Sequence, residues 1–288
     1  MNYDWLFSFV EFAEHTNFTR AAESLHISQP ALHVQVKKLT EAVGRPLYLK
    51  EGRNLRLTPE GERLAAFGRQ VKAQGEDLVA ELTGAPTGPL VLASGQGALV
   101  YLLGAAIRRF PKHRWPLRLK TLGGPAAIEE VRAAQAHLAV VATNAPPDDL
   151  VSQPLCRVGQ VVVVPRDHRL ARRRRLRVQD LEGEPLVVPP RGRPHRSMLE
   201  HMFASNDVEL EVAVEATGWA PLLAFAKLGV GLTVVNDFCA APRGMKAIPL
   251  RGAPLVQYHA LHRPLARAAS FESLDAMLRL LDAELARA

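Results

Sequence analysis

The chain has 288 residues and a mass of 31.6 kDa, room for two or three modest domains rather than one. Hydrophobic residues make up 48% and charged residues 23%, which excludes a disordered chain, a collagen-like chain and a disulfide-stapled miniprotein. The formal charge of +7 admits a nucleic-acid partner, but where that charge sits says more than its sum.

The apolar runs, such as residues 160–165, are far shorter than the roughly 18 residues of a membrane span. The N-terminus lacks a basic segment followed by an apolar stretch, so no secretory signal is expected. Cys156 and Cys239 are too few for a disulfide framework, and neither is marked as activated. A cytoplasmic chain with no membrane partner and no cofactor is expected.

Leu6, Phe9, Val10 and Ala13 recur at helical spacing and predict a first helix. After a polar break at 15–17 a short helix runs through 20–25, and His26-Ile27 makes a tight turn. Ser28 is a good N-cap and Pro30 falls in the first turn of the next helix, which turns Leu32, Val36 and Leu39 to one face and ends near Gly44. Residues 47–50 and 54–57 read as strands of a hairpin around 51–53. Helix, helix-turn-helix and hairpin together are the pattern of a winged DNA-binding module. Its charge is divided. Residues 1–27 hold Arg20 against Asp4, Glu11, Glu14 and Glu23, whereas residues 28–56 hold Lys37, Lys38, Arg45, Lys50, Arg53 and Arg56 against Glu41 and Glu51.

Thr58-Pro59-Glu60 starts a long helix that runs to about Thr83. Its apolar stripe is Leu64, Phe67, Val71, Leu78 and Leu82, with Gly68 and Gly75 beside the seam. A heptad-like stripe predicts self-association into a homodimer, glycines allowing close helix approach. Packing of the stripe on its own domain is the alternative. From Gly88 onward, strands at 90–93, 117–121, 138–142, 160–164, 185–188 and 231–235 alternate with helical stretches at 98–110, 126–135, 197–205 and 219–228. That alternation predicts an α/β fold with parallel sheets covered on both faces, as one domain or two lobes. The expected divisions are 1–58, a winged helix-turn-helix; 59–87, a linker and dimerisation helix; and 88–288, a regulatory domain.

The stretch Phe18–Leu32, FTRAAESLHISQPAL, with Leu55–Gly61, LRLTPEG, resembles the LysR-type transcriptional regulators. Weaker likenesses at 167–171, 180–181 and 228–232 extend the resemblance over nearly the whole chain. The resemblance implies a two-lobed effector domain similar to periplasmic binding proteins, a small-molecule effector, double-stranded promoter DNA as partner, and a homodimer or homotetramer. The chain departs from the usual pattern at His33-Val34, where Ser-Arg is frequent, at 134–137, and at Asn236, where Pro is frequent.

With Leu32, Val36 and Leu39 inward, the recognition helix offers Gln29, Pro30, His33, Val34 and Lys37 to a major groove. Gln29 can bond adenine N6 and N7 together, and Val34 can meet a thymine methyl. Lys37, Lys38 and Lys50 suit phosphates, Arg53 at the hairpin tip suits a minor groove, and Ser28 is a cap first and a phosphate contact second. Thr19 and Arg20 match family positions that approach the DNA backbone. Ligands of α/β sheets bind beyond the carboxyl ends of strands. Those positions are Ser94, Gly95, Gln96, Gly97, Gly123, Thr143 and Asn144 in the first half, faced by Arg193, Thr217 and Gly218. Free N–H groups at helix starts there favour an anionic or polar effector. The run 172–175 reads as a solvated surface, with a second DNA or partner contact as the alternative. No nucleophile-elbow, zinc-protease, Walker or dinucleotide motif is present, so no enzymatic activity is expected. A transport solute-binding protein would share the two lobes but not the additional N-terminal module.

Overall fold

The computed structural model describes residues 2–52, 54–83, 88–264 and 270–285. Three helices open the chain: α1 (Tyr3–His15), α2 (Phe18–Ser24) and α3 (Gln29–Val43). Each starts on a side-chain cap. Asn2 Oδ1 accepts from the Asp4 and Trp5 amides, Asn17 Oδ1 from Thr19 and Arg20, and Ser28 Oγ from Ala31. Left-handed Thr16 and Gly44 end α1 and α3. Leu32, Val36 and Leu39 of α3 are fully buried against Phe9 and Phe12 of α1 and Ala21 of α2. Each large side chain so buried contributes about 1.5–3 kcal/mol. The hairpin β1 (Tyr48–Glu51) and β2 (Asn54–Leu57) pairs Tyr48 with Leu57. Phe12, Phe18 and Tyr48 cluster at its base, with Phe12 stacked on Phe18 at 4.2 Å between centroids.

Helix α4 (Pro59–Thr83) starts where the Gly61 amide donates to Thr58 Oγ1 at 3.0 Å. The first half of its apolar stripe is used inside the chain. Leu64 joins the helix-turn-helix core, and Gly68 lies against α1, where a Cβ would stand 2.5 Å from Val10 Cγ2. Val71 is half-buried, while Phe67, Leu78 and Leu82 stay exposed at 45%, 54% and 76%. Nothing lies within 4 Å of a Cβ built on Gly75.

The remaining residues form two lobes. The first holds a five-stranded sheet in the order β4-β3-β5-β12-β6, with β3 (Leu90–Ser94), β4 (Leu117–Thr121), β5 (Leu138–Ala142), β6 (Val151–Val158) and β12 (Val256–His262). Helices α5 (Gly104–Arg109) and α9 (Ser270–Leu285) cover one face and α6 (Gly124–Arg132) the other. The second lobe sets β7 (Gln160–Pro165) between β10 (Thr233–Asn236) and β11 (Met245–Pro249). The pair β8 (Leu186–Val188) and β9 (Val212–Glu215) joins through a Leu186–Leu232 bridge, with α7 (Pro194–Ala204) and α8 (Trp219–Lys227) packed alongside.

Two sequence expectations are corrected here. The sheets are mixed rather than parallel: β3, β4 and β5 run parallel, but β12 is antiparallel to β5 and β6, as are β10 and β11 to β7. The helix expected over 98–110 is a π-turn (Ala98–Leu102) followed by α5, because the Leu103 amide bonds Ala98 O, five residues back. Among the described residues no helix is long and apolar enough to cross a membrane, and no cluster of metal-ligating side chains occurs.

Candidate functional site

On the N-terminal unit, the outer face of α3 presents Gln29, Pro30, His33, Val34 and Lys37, all exposed, with Lys38 exposed on its flank. Val34 is 49% exposed, an apolar β-branched residue with no packing reason on that face. The His33 ring lies 4.9 Å from Phe18, which holds its plane near the start of α2. Thr19 and Arg20 are exposed in the first turn of α2, and Ser28 caps α3. A groove of about 520 Å³ runs between the starts of α2 and α3 and the hairpin, lined by Thr19 and Gln29 together with Asn17 and Asn54. The last two were missed by the sequence reading; Asn17 was legible as an N-cap before the Phe18 helix. Lys38 stands 5.5 Å from the Trp5 ring centroid, toward α1. Lys37 pairs loosely with Glu41 at 3.8 Å, with both side chains more than 60% exposed. Lys50 is exposed on β1, and Arg53 lies outside the described residues.

Between the lobes lies a cleft of about 910 Å³. The chain crosses between lobes at Gly159, joining β6 to β7, and again between β11 and β12. Asp237 secures the first crossing: its carboxylate accepts from the Gly159 amide at 2.8 Å, and its own amide donates to Gly159 O. Gly95, Gln96, Gly97, Gly123, Thr143, Asn144, Arg193, Thr217 and Gly218 all line the cleft. Ser94 does not. It is fully buried, and its hydroxyl donates to Val140 O at 2.6 Å, tying β3 to β5.

Contacts across the cleft are close. A Cβ on Gly97 would overlap the Trp219 indole, and one on Gly218, at φ +95°, would overlap Gln96 Oε1. Glycine at 97 therefore lets the Cδ1–Nε1 edge of an indole from the second lobe come up against the backbone of the first.

The sequence reading also missed His195, Trp219, Asn236 and Tyr258, which line the same cleft. His195 Nε2 donates to Val234 O at 2.8 Å, and its ring meets Trp219 edge-on at 4.7 Å. Burial lowers the His195 pKa to about 4, with the Val234 carbonyl offsetting part of that effect, so the ring is neutral at pH 7. A neutral ring that donates from Nε2 keeps Nδ1 as an acceptor. The Asn236 amide donates to Tyr258 Oη at 3.2 Å, leaving the phenol proton to be offered elsewhere. Among the residues lining the cleft Arg193 is the one formal cation, and no carboxylate is present. Arg196, only 3% exposed, props the neighbouring loop: it donates to Pro189 O at 3.0 Å and to Glu215 at 2.8 Å. Cys156 and Cys239 are both free thiols, and burial raises both pKa values, that of Cys239 to about 12. Neither is poised as a thiolate.

Two family models match the chain: the bacterial regulatory helix-turn-helix protein, lysR family, over residues 3–62, and the LysR substrate binding domain over residues 83–285. The transcriptional regulator CysB of Burkholderia cenocepacia is 31% identical over 261 residues, covering 85% of this chain and 82% of that protein. The transcriptional activator CmpR of a Synechocystis strain is 27% identical, covering 87% and 85%. Among solved structures, a full-length OxyR from Pseudomonas aeruginosa superposes with a TM-score of 0.77 at 22% identity, covering 99% of this chain and 94% of that one. A full-length CbnR in complex with its target DNA gives 0.65 at 20% identity, covering 99% and 100%. With both family models matched end to end over a winged helix-turn-helix and a two-lobed domain, the chain belongs to the LysR-type transcriptional regulators.

Proposed function

We propose that this regulator reads promoter DNA through Gln29, His33 and Val34 on α3, positioned by phosphate contacts from Thr19, Arg20, Lys37, Lys50 and Arg53, and that a small anionic effector held between its lobes sets that binding. The observation that carries the effector reading is the cleft itself. Its single cation, Arg193, has no carboxylate among the other lining residues, so an incoming anion meets uncompensated positive charge. Amides at the starts of α6 and α8 lie at the same rim, each helix begun by a glycine with no side-chain cap. Trp219, Met198 and Leu222 offer an apolar wall for the rest of the ligand. The absence of an enzyme motif and the regulator names of its relatives support a protein that works by binding rather than turnover, in the cytoplasm where its DNA lies.

Fluorescence anisotropy on the duplex upstream of the protein's own gene, against a scrambled duplex at several salt concentrations, tests the DNA reading. Tighter binding to the native duplex with a steep negative salt slope is expected. Equal binding to both would remove the specific-reader claim. Calorimetry of the full chain with monocarboxylates, inorganic sulfate, amines and neutral sugars tests the cleft. Binding confined to anions and lost in Arg193→Ala is expected; failure of every anion would sink that part.

A further inference from the structure

Helix α6 has its two ends in two different places. Its first turn, at Gly123, Gly124 and Pro125, lines the ligand cleft. Its last turn meets the linker helix α4: Gln70 Nε2 donates to Arg132 O at 2.8 Å, and Arg69 Nε donates to Ala133 O at 3.1 Å. These are carbonyls at the negative end of α6, where a helix offers unpaired acceptors and favours a cation. Burial lowers the Arg69 pKa from its ordinary value, while the Glu14 carboxylate on α1 and the Glu130 carboxylate on α6 favour its charge. Gln135, just beyond α6, reaches Glu14 at 3.5 Å. The junction thus joins α6, α4 and α1, and α1 packs directly on the recognition helix.

The helix between these ends is a stiff strut. Ala127 and Val131 are fully buried against β3 and β5, and Arg132 grips Asp149 through two bonds of 2.7 Å. Nine residues at 1.5 Å each make about 13 Å of rod, so a shift at the first turn reaches the last. Across the cleft from that first turn, Trp219 rests on Gly97, which fixes how near the second lobe sits.

We infer that α6 is the link between cleft and DNA-binding unit, transmitting lobe position to α4 through the Arg69 and Gln70 bonds to its C-terminal carbonyls. This rests on the reading that the cleft governs DNA binding. The cleft can be disturbed without knowing its ligand, because Gly97→Ala places a methyl group inside the Trp219 indole and forces the lobes apart. The experiment is a double-mutant cycle in full-length protein on the upstream duplex, crossing Gly97→Ala with the pair Arg69→Ala and Gln70→Ala. Trp219→Ala, which disturbs the same contact from the other side, is run through the same cycle as a second perturbation should Gly97→Ala fail to fold. Hydrogen exchange at residues 95–98 and 217–222 verifies that the cleft has opened.

Opening the cleft is expected to change DNA affinity by about 5-fold or more, the lower end of ordinary allosteric coupling, and by less than about 2-fold once Arg69 and Gln70 are gone. An equal change in both backgrounds would overturn the α6 route while leaving the cleft in control of DNA binding. An opened cleft with unaltered DNA affinity in every background would overturn both.

Discussion

Gln29 stands at the N-terminal end of the recognition helix, exposed and beside Thr19 in the groove below the hairpin. An amide there can take both N6 and N7 of one adenine, a pairing worth about 1–3 kcal/mol of discrimination. Gln29→Ala is therefore expected to flatten base preference at one operator position while leaving preference elsewhere intact. Competition binding against single-base variants of the duplex reads this out, and an unchanged profile would move the reading to His33 and Val34. His195 yields a pH prediction. Its folded pKa of about 4 lies below the ordinary 6.5, so the unfolded chain binds the proton more readily. The stability from keeping it neutral is fully present above pH 6.5 and is lost as pH falls toward 4. By the linkage relation the loss reaches about 3 kcal/mol. Urea unfolding of wild type and His195→Gln between pH 7 and 4 should show the wild type losing stability faster; parallel slopes would refute it.

Among the elements, the junction of wing and linker is the least forgiving. Thr58 caps α4 while its hydroxyl donates to Pro46 O, and its amide bonds Leu47 O. Gly61 is pressed onto that same Leu47 carbonyl, where a Cβ would overlap a backbone oxygen that has no rotamer to escape into. Gly61→Ala is expected to cost at least the 1–3 kcal/mol of ordinary overpacking, despite the better helix propensity of alanine. The melting of the isolated substitution against wild type checks it; an unchanged or raised Tm would mean that α4 shifts freely. The N-terminal elements were legible because caps, a 3.6-residue period and a buried stripe agree at Ser28, Leu32, Val36 and Leu39. Strands β6 and β12 were missed. The first contains Pro154 and lies at a sheet edge; the second alternates apolar and polar residues over 256–260, a strand signal the sequence reading passed over, and breaks step only at Leu261. Missing them, together with β11, hid three antiparallel pairings, and the fourth, β10 on β7, joins two strands that were read but whose relative direction no sequence pattern fixes. Cleft loops after β3, β4 and β5 were legible from strand ends and glycines. His195, Trp219 and Tyr258 were not, since each meets the cleft only through tertiary packing. Ser94 was misplaced because its direction depends on one backbone alternation at the end of β3.

At the scale of the molecule the linker helix divides its labour. Its first half is fastened to its own chain by Leu64, Gly68, Arg69 and Gln70. Its second half leaves Leu78, Val79 and Leu82 exposed, Leu78 and Leu82 four residues apart on one side of the helix, in a stretch that also holds Glu76, Asp77 and Glu81. Two exposed leucines on so polar a segment favour a second copy of the helix as their cover. A dimer brings two recognition helices to one duplex, and linked binding of this kind adds about 10²–10⁴ in affinity without any new contact. Leu78→Glu combined with Leu82→Glu should therefore sediment as a monomer and bind the upstream duplex at least about 100-fold more weakly. Its melting should stay near that of wild type, because neither side chain belongs to a core within the chain. Its salt slope should fall by about half, one protomer releasing half the counterions of two. A variant that stays dimeric would place the dimer contact elsewhere, and a monomer retaining full affinity would show that one recognition helix suffices for the operator.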